Sequence, residues 1–252
     1  AHNTAEVDGQ SQSVMAGPFS WEHIAESRPE ELIATENFGY FSGSHNGYQR
    51  LTDPVTHTRE VLFLKSSVES RMPPYLIVRD RFDAHEHHRY VLNYHFSPGC
   101  QAAVRGLQNQ VGKPSAEQEN WQIEAASSNN ASLILSSFGT TSPRAEVKQS
   151  WVSHCYGQHQ LAPMASITAE GKGTQSFATL ILPTSASKPV NYSRQAISPL
   201  GAGGFKISVS NTMDTILIGD QASQLASGFL SASGALAWLR VLGGKALHAG
   251  LV

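Results

Sequence analysis

Residues 75–96 read YLIVRDRFDAHEHHRYVLNYHF. The segment begins with a nearly continuous apolar run, passes through a polar stretch of histidines and carboxylates, and ends in a second apolar run. In that second run Tyr90, Leu92 and Tyr94 share one face of an extended chain, because side chains alternate along a strand. The segment therefore predicts two antiparallel strands joined by a polar turn.

Similar runs recur along the chain at the spacing typical of a β-sandwich or barrel. The other candidate strands are residues 2–8, 32–41, 55–65, 121–125, 132–138, 146–152, 176–182, 205–210 and 215–219. Pro29 limits residues 18–34 to a short or broken helix, and for 222–240 a hairpin fits at least as well as a helix. Residues 108–120 and 188–204 are predicted loops. We expect an all-β chain, a large antiparallel multi-sheet β-sandwich, with one domain over residues 1–252.

The composition excludes several classes of function. Of the 252 residues, 15% are charged and the formal net charge is −2, which argues against electrostatic binding of nucleic acid. No apolar run approaches the roughly 18 residues that a membrane span needs. Cys100 and Cys155 are predicted to be half-buried thiols, with a single bridge as the alternative.

Residues 80–88, DRFDAHEHH, concentrate imidazole and carboxylate groups. Such groups suit zinc and related ions. Their spacing is that of a connection between strands, so a polar hairpin turn without a ligand explains them as well. Asp80 is a separate case, because a carboxylate at the end of an apolar run needs a partner.

Residues 44–51, SHNGYQRL, form a second candidate site. The Asn-Gly pair is a turn signal with His45 and Tyr48 on either side. Arginine grips a carboxylate bidentately, while tyrosine and histidine exchange protons. We therefore assign His45, Tyr48 and Arg50 to the binding of an acidic sugar, with a polar-edged hairpin as the alternative.

Four segments together resemble the C-terminal part of the heparinase II/III-like polysaccharide lyases. Their order and spacing match the family over roughly the first 183 residues. The segments are AHNTAEVDGQSQS (1–13); HNGYQRL (45–51) with HTRE (57–60); YLIVRDRF (75–82) leading to YHFSPG (94–99); and YG (156–157) before AP (162–163) and TLILP (179–183).

The resemblance implies both fold and chemistry. Such lyases pair an N-terminal (α/α) toroid with a C-terminal antiparallel super-sandwich, and are periplasmic or secreted. They cleave uronic-acid-containing polysaccharides, whether heparin- or heparan-like, alginate-like or exopolysaccharide, by β-elimination. A base removes the proton beside a neutralised carboxylate, and an acid protonates the leaving oxygen. In several members a histidine at the position of His2 joins an upstream His and Asp around zinc, so His2 is the predicted metal ligand.

The chain departs from the family at its start, because the toroid and the family's catalytic segments precede residue 1. We expect a sandwich that lacks its first strands, an isolated fragment without activity, and catalytic residues that stay unassigned. The expected partners are the acidic polysaccharide and the toroid of the parent chain. The alternative is a non-catalytic carbohydrate-binding or structural β-sandwich module. Missing strands would expose an edge and an inner face, and would make the chain poorly soluble or oligomeric.

Overall fold

A computed structural model of the protein describes residues 2–67, 69–106, 121–128, 130–184, 190–197, 202–219, 224–227, 230–233 and 235–251. Within these residues the regular structure is entirely β-strand. In chain order the strands are β1 (Ala5–Val7), β2 (Val14–Gly17), β3 (Ser20–His23), β4 (Ser27–Ala34), β5 (Phe38–His45), β6 (Thr56–Leu64), β7 (Tyr75–Asp83), β8 (His87–His95), β9 (Gln101–Gly106), β10 (Trp121–Ala126), β11 (Ser132–Gly139), β12 (Arg144–Cys155), β13 (Gln158–Lys172), β14 (Gln175–Thr184), β15 (Asn191–Ile197), β16 (Ala202–Val209), β17 (Thr212–Ile218), β18 (Gln224–Ser227), β19 (Leu230–Ser233), β20 (Leu236–Leu242) and β21 (Lys245–Leu251).

The strands form three large antiparallel sheets and two small hairpins. The four-stranded sheet has the order β1-β8-β13-β12, the eight-stranded sheet β4-β5-β6-β7-β14-β11-β10-β9, and the five-stranded sheet β15-β16-β17-β20-β21. The hairpins are β2-β3 and β18-β19. The predicted all-β, multi-sheet antiparallel sandwich is confirmed.

The eight-stranded sheet is the middle layer, because strands at its centre contribute to two cores. In β7, Phe82 packs in a first core with β8 and β13 of the four-stranded sheet. Ile77, on the opposite face of β7, packs in a second core with Trp238 and other residues of the five-stranded sheet. A strand buried on both faces reads as a nearly continuous apolar run, as residues 75–82 do.

Several predicted strands coincide with observed ones. The quoted segment 75–96 folds as β7, a turn and β8, and residues 55–65 contain β6. In the described part of 222–240 the chain forms β18, β19 and β20, so the hairpin interpretation is correct there. None of the described residues belongs to a helix long and apolar enough to cross a membrane.

Three predictions in less regular segments are wrong. Residues 18–34 hold β3 and β4 instead of a broken helix; β4 is a sheet edge, and Pro29 sits at its register shift, where a missing N–H is tolerated. The predicted strand 32–41 is two strands, because Thr35 Oγ1 accepts hydrogen bonds from the amides of Asn37 and Phe38 and closes a turn. The predicted loop 188–204 contains β15 and the start of β16.

Four further strands of the described residues, β2, β9, β13 and β21, lie outside the predicted ones. Of these, β9 and the 15-residue β13 contain several Ala and Gln residues and lack the run of β-branched residues that marks a strand. The predicted loop 108–120 lies outside the described residues. Cys100, which is half-buried, and Cys155, which is exposed, are both free thiols.

Candidate functional site

Polar side chains from three neighbouring strands meet on one face of the eight-stranded sheet. The antiparallel register sets His45 of β5 opposite His57 of β6 and, in the adjacent row, Arg59 of β6 opposite Asp80 of β7. Residues two apart on a strand share a face, so these side chains lie on the same side as Phe82, toward the first core. We call His45, His57, Arg59 and Asp80, together with Tyr48 from the following loop, the clamp.

A chain of hydrogen bonds crosses the clamp and fixes the tautomers of both histidines. The amide of Gly47 donates to His45 Nδ1 at 3.1 Å, which places the proton of a neutral ring on Nε2. His45 Nε2 then donates to His57 Nδ1 at 2.9 Å, and His57 Nε2 donates to Asp80 Oδ1 at 2.7 Å. Burial, followed by the nearby His57 and Arg59, lowers the pKa of His45 to about 4. This ring is therefore neutral at pH 7.

The chain of hydrogen bonds ends on a buried ion pair. Asp80 is fully buried, and Arg59 Nε donates to the same Oδ1 at 2.7 Å. Burial by itself raises the pKa of Asp80, but the Arg59 guanidinium and the hydrogen bond from His57 outweigh it and hold that pKa at about 2. Asp80 is therefore an anion that accepts hydrogen bonds from two donors. These donors are the partners that a carboxylate at the end of an apolar run requires.

The clamp also holds the edge strand β1. The Tyr48 hydroxyl, itself buried, donates to the carbonyl of Ala5 at 2.5 Å. Arg59 Nη1 donates to the carbonyl of Asn3 at 2.6 Å. Since β1 pairs only with β8 in its sheet, these side chains supply donors that a further strand would otherwise provide. The clamp thus fixes the path of the chain immediately after His2.

Comparison with known proteins places this arrangement in a family. The sequence matches the family described as Heparinase II/III-like, C-terminal, over residues 1–195. This chain belongs to the heparinase II/III-like C-terminal family. The match ends within β15, so it covers the four- and eight-stranded sheets and the whole clamp. No curated protein matches the sequence significantly.

Solved structures of lyases share the fold of this heparinase II/III-like domain. The heparan sulfate lyase HepC from Pedobacter heparinus superimposes with a TM-score of 0.61 at 14% identity, over 86% of this chain and 30% of that chain. A heparinase III gives a TM-score of 0.55 at 12% identity, over 86% of this chain and 29% of its own. The domain therefore spans less than a third of the length of these lyases, and at such identities the likeness concerns the fold alone.

Within the heparinase II/III-like domain, the three predicted sugar-binding residues are close together and engaged internally. His45 is half-buried and Tyr48 is buried, with the partners given above. Arg50 donates from Nη1 to the carbonyl of Gln12 at 3.3 Å and also bonds the carbonyls of Gly47 and Ser11. It therefore ties the loop after β1 to the loop after β5. Contact of these residues with a substrate stays a prediction.

The predicted zinc ligand, His2, has an exposed side chain near the first residues of β1. Within the part of the chain that the structure describes, no three His, Cys, Asp or Glu side chains come together as a metal-binding group. A zinc site takes three or more protein ligands. The residues present do not by themselves fit the ion that the resemblance implies, and zinc stays a prediction that depends on upstream ligands.

The histidine- and carboxylate-rich segment 80–88 is divided by the fold. Asp80 enters the clamp, whereas His85, Glu86 and His87 are exposed in or beside the turn between β7 and β8. His88 is buried, and its ring nitrogens contact two carboxylates, Nδ1 with Asp8 at 2.6 Å and Nε2 with Asp53 at 2.9 Å. Burial by itself lowers the pKa of His88, but Asp53 and Asp8 outweigh it and raise that pKa. His88 of β8 thus joins the loop after β1 to the loop after β5, with one carboxylate at each ring nitrogen.

Sequence reasoning missed the role of Arg59 and of Asp8 and Asp53. A signal for Arg59 was present, because the pattern His57-x-Arg59 on a predicted strand places both side chains on one face. For Asp8 and Asp53 there was no comparable signal, because their contact with His88 depends on how loops from two sheets meet.

Proposed function

We propose that this chain is the C-terminal portion of a polysaccharide lyase that cleaves a uronic-acid-containing polysaccharide by β-elimination. The observation that carries the proposal is the family match over residues 1–195. The fold shared with a heparan sulfate lyase supports it. The parent protein then contributes an N-terminal toroid as partner of this sandwich. We place that protein in the periplasm or outside the cell, where polymeric uronans are met.

The clamp supports a scaffolding role for this chain in that reaction. β-Elimination needs a base with a free lone pair within reach of the proton beside the uronate carboxyl group. Both ring nitrogens of His45 and of His57 are engaged in hydrogen bonds, and Tyr48 is buried with its hydroxyl donated to Ala5. These contacts hold β1 against the eight-stranded sheet. We therefore propose that the catalytic base and acid come from the parent protein outside this sequence.

The test is the ultraviolet absorbance of the unsaturated uronate that elimination creates. We expect the gene product in which this sequence occurs to generate it on at least one of heparin, heparan sulfate and alginate. We expect none from the 252-residue chain alone. Activity of the chain alone would place the catalytic residues within it. The first candidates would then be His45, Tyr48, His57 and His95, the last residue of β8, whose amide donates to the Asn3 side chain. Inactivity of the whole gene product on all three polymers would contradict the proposal.

A further inference from the structure

The first core opens to solvent between two edge strands, β9 of the eight-stranded sheet and β12 of the four-stranded sheet. A groove of about 510 Å³ lies there, lined by residues 100–104 on one side and by Val147, Lys148, Gln149 and Pro163 on the other. This volume is in the range of sites for small ligands, ~300–1,000 Å³.

The inner face of the β12–β13 hairpin continues past this groove. Val147 packs against the first core, and the residues that follow it on the same face are Gln149 and Trp151. Their cross-strand partners on β13 are Pro163 and Leu161. Successive cross-strand pairs on this face therefore lead from the first core, past the groove, to Trp151.

Exposed rings lie beyond the groove, and we call them the shelf: Trp151, His159, Tyr156 and Phe19. Trp151 is 51% exposed, and its ring meets that of His159 edge-on with centroids 4.4 Å apart. At the tip of the same hairpin, Tyr156 stacks on Phe19 of the β2–β3 hairpin at 6.1 Å and 27°, with the two residues 87% and 83% exposed. Such a concentration of exposed aromatic surface beside a cavity is typical of a binding surface.

The chemistry of the groove and shelf selects one ligand class. We propose that they bind a sugar unit of an acidic polysaccharide, with an apolar ring face on Trp151 and hydroxyl groups on Gln149. Lys148 lines the groove, but its side chain starts on the opposite face of β12. Because β12 is an edge strand, the flexible stem of Lys148 can carry its ammonium group around the edge to an anionic group of the sugar. The pairing of Lys148 Nζ with Glu146 at 3.1 Å is solvent-exposed. Exposed pairs of this kind contribute little, so the ammonium group can change partners. This inference rests on the proposed function for its choice of an acidic polymer.

The test is titration of the 252-residue chain with uronate-containing oligosaccharides from heparan sulfate and from alginate, followed by calorimetry. We expect Trp151→Ala to weaken binding by about tenfold, because the apolar C–H face of the sugar loses the indole ring on which it packs, with substantial recovery in Trp151→Phe. The control is Phe63→Ala, because Phe63 is also an exposed ring, at 37%, but lies on β6, away from the groove and the β2–β3 hairpin. It should bind as the wild type does.

A second pair of variants tests the cation. Lys148→Gln should weaken binding and flatten its dependence on salt, since one ion contact is lost. Lys172→Gln, at a lysine of β13 that also has an exposed glutamate partner, should change neither.

Three results would overturn the inference. The first is that the wild type binds neither oligosaccharide. The second is that Trp151→Ala and its control lose equal affinity. The third is self-association without sugar that Trp151→Ala abolishes, because this would assign the shelf to contact with a second copy of the chain. Each leaves the elimination assay on the whole gene product unaffected, so failure of this site and failure of the proposed function are separate outcomes.

Discussion

Replacement of Asp80 by asparagine tests whether a buried anion organises the clamp. Asp80 Oδ1 accepts from His57 Nε2 and Arg59 Nε, each at 2.7 Å. A hydrogen bond to a charged group contributes about 1.5–3 kcal/mol, and a neutral one about 0.5–1.5 kcal/mol. Asparagine keeps an acceptor in place but removes the charge, so each bond weakens by about 1–1.5 kcal/mol. The variant should lower the free energy of unfolding by roughly 2–3 kcal/mol.

The assay is urea unfolding at pH 7, followed by tryptophan fluorescence. Asp83→Asn is the matched control, because Asp83 lies on the same strand and pairs with Arg81, but its side chain is 41% exposed. Exposed pairs contribute about 0–1 kcal/mol, so the control should unfold close to the wild type. Equal destabilisation by the two variants, or none by Asp80→Asn, would refute the account of the clamp. Acid should remove the same contribution progressively as the pH falls from about 3.8, where the carboxyl of the unfolded chain takes up a proton, through about 2, where the buried Asp80 does.

The other predictions concern pH and backbone space. The pKa of His45 is lowered, so between about pH 6.5 and about pH 4 the unfolded chain binds a proton that the folded chain does not. Stability therefore falls as the pH drops through this range, and His45→Gln should flatten that part of a melting-temperature profile. His88 has a raised pKa, so its stabilisation is complete at low pH and is lost as the pH rises through that pKa; His88→Gln should remove this loss, and His87→Gln, at the exposed neighbour, should retain it. A Cβ at Gly47 would lie 2.4 Å from the carbonyl oxygen of Gln12, whereas Gly106 has nothing within 4 Å. Gly47→Ala should therefore cost about 1–3 kcal/mol in urea unfolding, and Gly106→Ala should change little; equal effects would contradict the packing argument.

The layers of the fold could be predicted where periodicity was strong. The apolar runs of β7 and β14 are buried on both faces of the middle sheet, and burial on both faces leaves a clear pattern in the sequence. β13 left no such pattern, because its core positions include Ala165 and Ala169, which fit close packing without β-branched character. At the sheet edge, β4 is mostly exposed, and its charged residues obscured the alternation.

The contacts of the clamp were predictable where they join neighbouring strands and unpredictable where they join different sheets. β5, β6 and β7 are consecutive in sequence and adjacent in the sheet, so the pairing of Arg59 with Asp80 follows once the hairpin register is known. The contact of Tyr48 with Ala5 joins residues 43 positions apart in different layers. A contact of that kind depends on how one sheet packs on another, and no local pattern encodes it.

The sequence predicted an exposed strand edge and an exposed inner face, and the structure gives these two features different capacities for association. β1 is an edge strand, but the carbonyl of its Ala5 and that of Asn3, just before it, already accept hydrogen bonds from Tyr48 and Arg59. An edge whose acceptors are occupied is a poor template for another strand. The face is different, because Leu32 pairs with Phe41 on the same face as the clamp, and these residues are 78% and 40% exposed. Association of this chain with a second copy is therefore favoured at the apolar face of β4 and β5, where burial removes hydrocarbon from water. At the edge of β1, association would instead displace hydrogen bonds already made.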